Sequence, residues 1–264
     1  MKNIKSEKIY NSVAAAILLV VVLLMPSQMK ADVYDYDYSI GVAFTTSKVL
    51  GDNPAINTMR IIGESIPGGS FNGAMPGVEV VGQYKLDDVG DWRLVGGVNY
   101  TFYSAREKFP SDITENRLTH TVNILTPLVG INYTIFRFPS AMSSFYAGLQ
   151  LRYNYIHGSE FTFTESLRST GEVIPRKPRD IGKENTGRIG GLLKLGIEGE
   201  ISENYMINVS WGIDVLNILS RDDLRGQLLT PFSQSDFIVP VPWELEEELT
   251  YNFYFSLMIQ YRLD

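Results

Sequence analysis

The chain has 264 residues, 44% of them hydrophobic, a net charge of −7 and no cysteine. That length suits a single barrel or sandwich domain. The acidic balance argues against a nucleic-acid partner, which selects a basic surface. The lack of Cys excludes disulfides, thiolate metal sites and lipid attachment through a cysteine.

The N-terminus carries Lys2, Lys5 and Lys8, then an apolar run from Val13 to Met25, then the polar stretch Pro26 to Ala31. This is the layout of a secretory signal peptide, with cleavage expected after Ala31. The run falls short of the roughly 20 residues a membrane-spanning helix needs. Residues 1–31 are therefore read as a signal peptide, which leaves 32–264 as one domain. The leader holds four Lys and one Glu, so its removal leaves the remainder more acidic still.

The first strand is read in "YDYDYSIGVAF". Tyr34, Tyr36, Tyr38, Ile40, Val42 and Phe44 alternate with Asp35, Asp37, Ser39, Gly41 and Ala43. Side chains alternate faces along a strand, so one face is large and apolar and the other small or polar. After a polar stretch from Ser47 to Ala74, Val78, Val80, Tyr84 and Leu86 alternate with Glu79, Gln83 and Lys85. The turn "DDVGD" leads to Trp92, Leu94, Val98, Tyr100 and Phe102, alternating with Arg93, Asn99 and Thr101. A fourth strand runs from Leu118 to Phe136. Its apolar phase changes near Pro127, from Leu118, His120, Val122 and Ile124 to Val129, Ile131, Tyr133 and Ile135, which predicts a bulge there. The fifth runs from Phe145 to Tyr155, the sixth from Ile189 to Ile197, the seventh from Tyr205 to Val215 and the eighth from Leu249 to Arg262.

Short connections near Asp87, Arg137 and Ser202 alternate with long ones near Asp52, Glu107, Arg176 and Leu229. The predicted fold is all-β: an eight-stranded antiparallel transmembrane up-and-down barrel with short periplasmic turns and long extracellular loops. A soluble ligand-binding barrel would turn its apolar face inward. Two features favour lipid outside. Aromatics stand at the short-turn ends (Tyr34, Tyr36, Trp92, Phe145, Tyr205, Tyr261) and at the long-loop ends (Phe102, Tyr155, Tyr251, Phe253). The opposite face is small or polar, with charges of both signs, which suits the narrow interior of an eight-stranded barrel.

From Tyr36 to Arg262 this pattern resembles the small outer-membrane β-barrels of the OmpA/OmpX/OmpW type. The last strand, "LTYNFYFSLMIQYRLD", is similar to the terminal signal that barrel-assembly machinery reads in such proteins, with Tyr261 standing in for a terminal aromatic. The resemblance implies the outer membrane as location, and membrane lipid, lipopolysaccharide and the assembly machinery as partners.

The inward face is expected to carry Asp37, Glu79, Lys85, Arg93, Arg152, Lys194, Glu198, Asp214 and Arg262. Burying charges is costly unless they pair, so these should form networks that plug the barrel, or else line a narrow ion path. His157 and Ser159 lie two apart at the end of the fifth strand, with Glu160, Glu165 and Glu172 nearby. They are weak catalytic candidates, similar to the His-x-Ser of lipid A deacylases. Arg176, Lys177 and Arg179 in the third long loop form a candidate contact for lipopolysaccharide phosphates. No cofactor and no metal site is expected. The favoured function is a non-enzymatic envelope-structural or surface-binding role through the long loops. The alternatives are a small conduit for ions or hydrophobic molecules and, behind it, a lipid A-modifying hydrolase.

Overall fold

The computed structural model describes residues 36–51, 59–61, 64–66, 71–88, 90–110, 113–174, 185–221, 228–229 and 247–263. The expected signal peptide and the basic stretch Arg176, Lys177 and Arg179 lie outside the described residues. Eight long strands form the body: β1 (Tyr38–Val49), β2 (Met75–Lys85), β3 (Trp92–Pro110), β4 (Thr114–Phe138), β5 (Ser143–Leu167), β6 (Thr186–Ser202), β7 (Tyr205–Leu219) and β8 (Tyr251–Leu263). Each pairs antiparallel with its sequence neighbours. β8 closes back on β1, from Tyr38↔Leu263 to Val49↔Asn252, so the sheet is a closed barrel. Closure removes the unpaired edges that an open sheet would expose. A short hairpin (Met59–Ile61 with Glu64–Ile66) lies between β1 and β2, and Val173–Ile174 pairs with the end of β5.

The wall is polar inside and apolar outside. Along β1, Ser39, Gly41, Ala43, Thr45 and Ser47 are buried, while Ile40, Val42 and Phe44 are exposed. A soluble barrel would show the reverse. Aromatic pairs across neighbouring strands mark the short-turn end: Tyr38–Tyr84 at 4.9 Å, Trp92–Tyr133 at 4.6 Å and Tyr205–Tyr261 at 5.2 Å between ring centroids. Tyr100, Phe102, Tyr155, Tyr251 and Phe253 are exposed toward the long-loop end. From Trp92 to Phe102 the strand rises about 33 Å at ~3.3 Å per residue. Tilted by about 40°, that spans the roughly 25 Å apolar band of an outer-membrane barrel. Among the described residues no helix is long and apolar enough to cross a membrane.

Three expectations need correction. The connection near Glu107 is not a long loop: β3 and β4 stay paired as far as Pro110↔Glu115. Likewise β5 continues to Leu167, through about a third of the segment 158–187 read as a loop. The β3–β4–β5 sheet therefore projects well beyond the long-loop belt. Nor does β4 bulge at Pro127, whose register with β3 is unbroken (Val98↔Pro127). The shifts against β5 fall between Thr121 and Asn123 and between Thr134 and Phe136.

The apolar phase changes along β4 because the surroundings change, not the strand. Below the belt Val129 and Ile131 face outward, toward the apolar band. Above it the even positions, Val122 and Ile124, still point inward and meet an apolar cluster. Polar residues take the outer face once the strand has left that band.

Candidate functional site

The interior below the long-loop belt is built from layers of paired charges. At the short-turn end Arg93 pairs with Glu198, which also accepts from Ser144 Oγ at 2.9 Å. Beside them Arg262 pairs with Glu200 at 3.1 Å. Both guanidinium groups lie over the ring of Tyr36, at 5.0 and 5.3 Å from its centroid. Higher up, Arg152 holds two carboxylates, Glu79 at 3.3 Å and Asp214 at 3.5 Å. Tyr254 donates its hydroxyl to Glu79 at 3.1 Å and lies under the Arg152 guanidinium at 4.8 Å. All these groups are buried, and pairing is what offsets the loss of hydration. Lys194, buried among them, makes no ion pair among the described residues, and its ammonium lies 5.9 Å from the Tyr146 ring centroid.

Near the long-loop end Arg188 and Glu247 form a further buried pair at 2.8 Å, with Asn217 Nδ2 donating to Glu247 Oε1 at 2.6 Å. Next to it lies an apolar cap: Val49, Phe71, Met75, Tyr103, Ala105, Val122, Ile124, Ile156, Leu216, Leu228 and Leu229 form one buried cluster. Phe71 comes from the segment between β1 and β2, and Leu228 and Leu229 from that between β7 and β8. Both connections thus send apolar side chains into the mouth of the barrel.

Of the charges expected inside, Glu79, Arg93, Arg152, Lys194, Glu198, Asp214 and Arg262 are buried in the interior, and Lys85 is half-buried at its rim. Asp37 is exposed, contrary to expectation, and Tyr36 is buried in its place. A bend at Asp37, just before β1 begins, breaks the alternation that the sequence suggested. Glu200, Arg188 and Glu247 were not foreseen. Glu200 and Arg188 share the inward parity of Glu198 and would follow from a strand drawn longer at each end. Glu247 lies outside any periodic segment, so no pattern marked it.

The His157–Ser159 pair is divided by a bulge. Gly158 has φ +60°, a conformation glycine adopts without strain, and the pairing steps from Thr121↔Glu160 to Asn123↔His157. His157 stacks outward on Tyr155, with 5.6 Å between ring centroids. Ser159 Oγ instead lies 3.4 Å from Nε2 of His120, which is buried and packs on Phe71. Among the described residues no cluster of His, Asp or Glu could hold a metal ion. One cavity of about 370 Å³ lies against the outer wall, where the paired glycines Gly82 and Gly96 leave a hollow beside Tyr38, Tyr84 and Leu94.

A closed eight-stranded meander, apolar outside, belted by aromatics and charged within, is the architecture of the small eight-stranded outer-membrane β-barrels. No protein-family model and no curated protein matches the chain. Among solved structures it is similar to Neisserial surface protein A, at 12% identity over 86% of this chain and 97% of that one, with a TM-score of 0.42. It is similar to Ail, the attachment invasion locus protein of Yersinia pestis, at 14% identity over 86% and 99%, TM-score 0.34. It is also similar to OprG from Pseudomonas aeruginosa, at 12% identity over 86% and 96%, TM-score 0.41.

Proposed function

We propose that the chain is exported by its signal peptide and set into the outer membrane by the barrel-assembly machinery, with its short turns periplasmic and its long loops outside. Its role is envelope-structural or surface-binding and non-enzymatic: the barrel is a sealed mount for the outer loops. The supporting observation is the filled interior. Two layers of buried ion pairs, Arg93–Glu198 with Arg262–Glu200 and Arg152–Glu79–Asp214, lie in series with the apolar cap. In a barrel this narrow the side chains alone decide whether water passes.

A small conduit is the second reading, favoured by one feature. Gln83 Oε1, Asn208 Nδ2 and both amide atoms of Gln260 are buried without a hydrogen-bond partner among the described residues. Such groups call for water inside the barrel. Conductance across a planar bilayer separates the readings. The sealed mount carries no steady current. A steady, ion-selective current through the unmodified protein would overturn it.

A further inference from the structure

The β3–β4 hairpin beyond the long-loop belt carries three cations on its outward face. Arg106, Lys108 and Arg117 are all exposed, and they follow the outward parity of Phe102 on β3 and Leu125 on β4. Lys108 lies directly across the ladder from Arg117, and Arg106 is across from Thr119. Like charges placed directly opposite destabilise a sheet. Glu115 offsets part of this repulsion, 3.2 Å from Lys108 and 3.4 Å from Arg117. Lys108, then Arg117, holds the Glu115 carboxyl below its ordinary range, so it stays ionised at neutral pH. Among the described residues one carboxylate thus faces three cations and cannot neutralise them all. The neighbouring outward acid on β5, Glu160, is set lower, across from Thr121. A basic panel thus stands on an otherwise acidic chain.

Its height is also informative. Arg106 is four residues beyond Phe102, about 13 Å along the strand and roughly 10 Å above the belt once tilt is allowed for. Arg and Lys side chains bend toward whichever charged layer is nearest. The layer nearest an aromatic belt is that of the lipid head groups.

We infer that Arg106, Lys108 and Arg117 form a docking surface for the phosphorylated head group of an outer-leaflet glycolipid, the lipopolysaccharide class. Guanidinium groups bind phosphate through paired hydrogen bonds, and the ammonium adds a compact charge. This rests on the outer-membrane reading proposed above. It assigns the contact to the hairpin wall, independently of Arg176, Lys177 and Arg179.

The test uses the full chain in phosphatidylcholine nanodiscs, with added lipopolysaccharide or the same lipopolysaccharide stripped of phosphate. The unmodified protein should retain the phosphorylated form and lose it as salt rises. The triple variant Arg106→Gln/Lys108→Gln/Arg117→Gln should retain at least about tenfold less. These three side chains are exposed, so the variant should keep the heat-modifiable gel mobility of a folded barrel. Equal retention by the variant, or equal retention of the stripped lipid by the unmodified protein, overturns the inference and leaves the membrane reading intact. Failure of the unmodified protein to enter a bilayer overturns both.

Discussion

Arg188 on β6 grips Glu247, 59 residues further along, through Nε at 3.0 Å and Nη2 at 2.8 Å, with both side chains buried. The pair anchors the long connection between β7 and β8 just before the chain enters β8. Removing one partner leaves the other buried and uncompensated, at a cost of about 3–5 kcal/mol. Glu247→Gln should therefore lower stability in urea titrations of the folded barrel. Arg188→Met combined with Glu247→Leu should recover most of the loss, because an apolar pair needs no hydration. A double variant as unstable as the single one would show that the hydrogen bonds to Asn217, not the charge pair, carry the anchor.

The outer wall gives a second prediction. Leu151 is 59% exposed and stands on β5 about midway between the belt positions Phe145 and Tyr155. Leu151→Arg should destabilise the barrel by about 2–4 kcal/mol in a bilayer, the cost of a cation on a lipid-facing midplane position. Folding is read by gel mobility after refolding into vesicles. Undiminished stability, or solubility without detergent, would contradict a lipid-facing wall.

The glycine opposite Lys194 gives a third. Gly212 on β7 pairs with Lys194 on β6, and a Cβ there would press on the backbone oxygen of Leu193 and come within 2.7 Å of the Lys194 Cα. Neither atom can swing away as a side-chain tip could. Gly212→Ala should cost about 1–3 kcal/mol, the usual range for overpacking, measured in the same titrations. No loss would mean that β6 and β7 are less closely apposed at this level.

Much of this architecture is legible in the sequence, for a physical reason. Lipid on one side and a cramped polar interior on the other force a strict two-residue alternation, so Val42 and Ser39 declare their faces without help from distant residues. Legibility fails where the surroundings change. Val122 and Ile124 are apolar because they fill the cap, and Val129 and Ile131 because they face the apolar band, so a continuous strand imitates a phase shift at Pro127. The segment Glu160 to Leu167 reads as a polar loop although Phe161 and Phe163 alternate with Thr162 and Thr164, the signature of the strand it forms. Tyr36 is lost to a single bend. The Arg188–Glu247 pair depends on a loop that returns to the mouth, and nothing local records that return.

Orientation can be checked because the chain has no cysteine of its own. Single cysteines at Asp88 and Ser202, in or beside the short turns, should resist a membrane-impermeant thiol reagent on intact cells. Cysteines at Ile113, which is 72% exposed at the β3–β4 tip, and at the exposed Ser169 should react. The reverse pattern would invert the barrel in the membrane.

The interior pairs and the cap are barriers in series, so neither should open the barrel when removed alone. Glu198→Gln leaves the Arg93 guanidinium without its carboxylate in a confined space, and stability should fall by about 3–5 kcal/mol. Arg152 with its two acids and the cap remain in place, so conductance should stay near zero. Phe71→Ala empties the centre of the cap, where its ring meets Tyr103 edge-on at 5.6 Å. It should cost about 3–5 kcal/mol, again without steady current, because the charged layers persist. Current should appear only when both barriers are thinned, as in Phe71→Ala combined with Arg93→Ala and Arg152→Ala. The sign of its selectivity should then follow the carboxylates left behind, Glu198, Glu79 and Asp214, and favour cations. A steady current whose selectivity shifts with Glu198→Gln alone would place water past the cap already, and the conduit would be the better account of the chain.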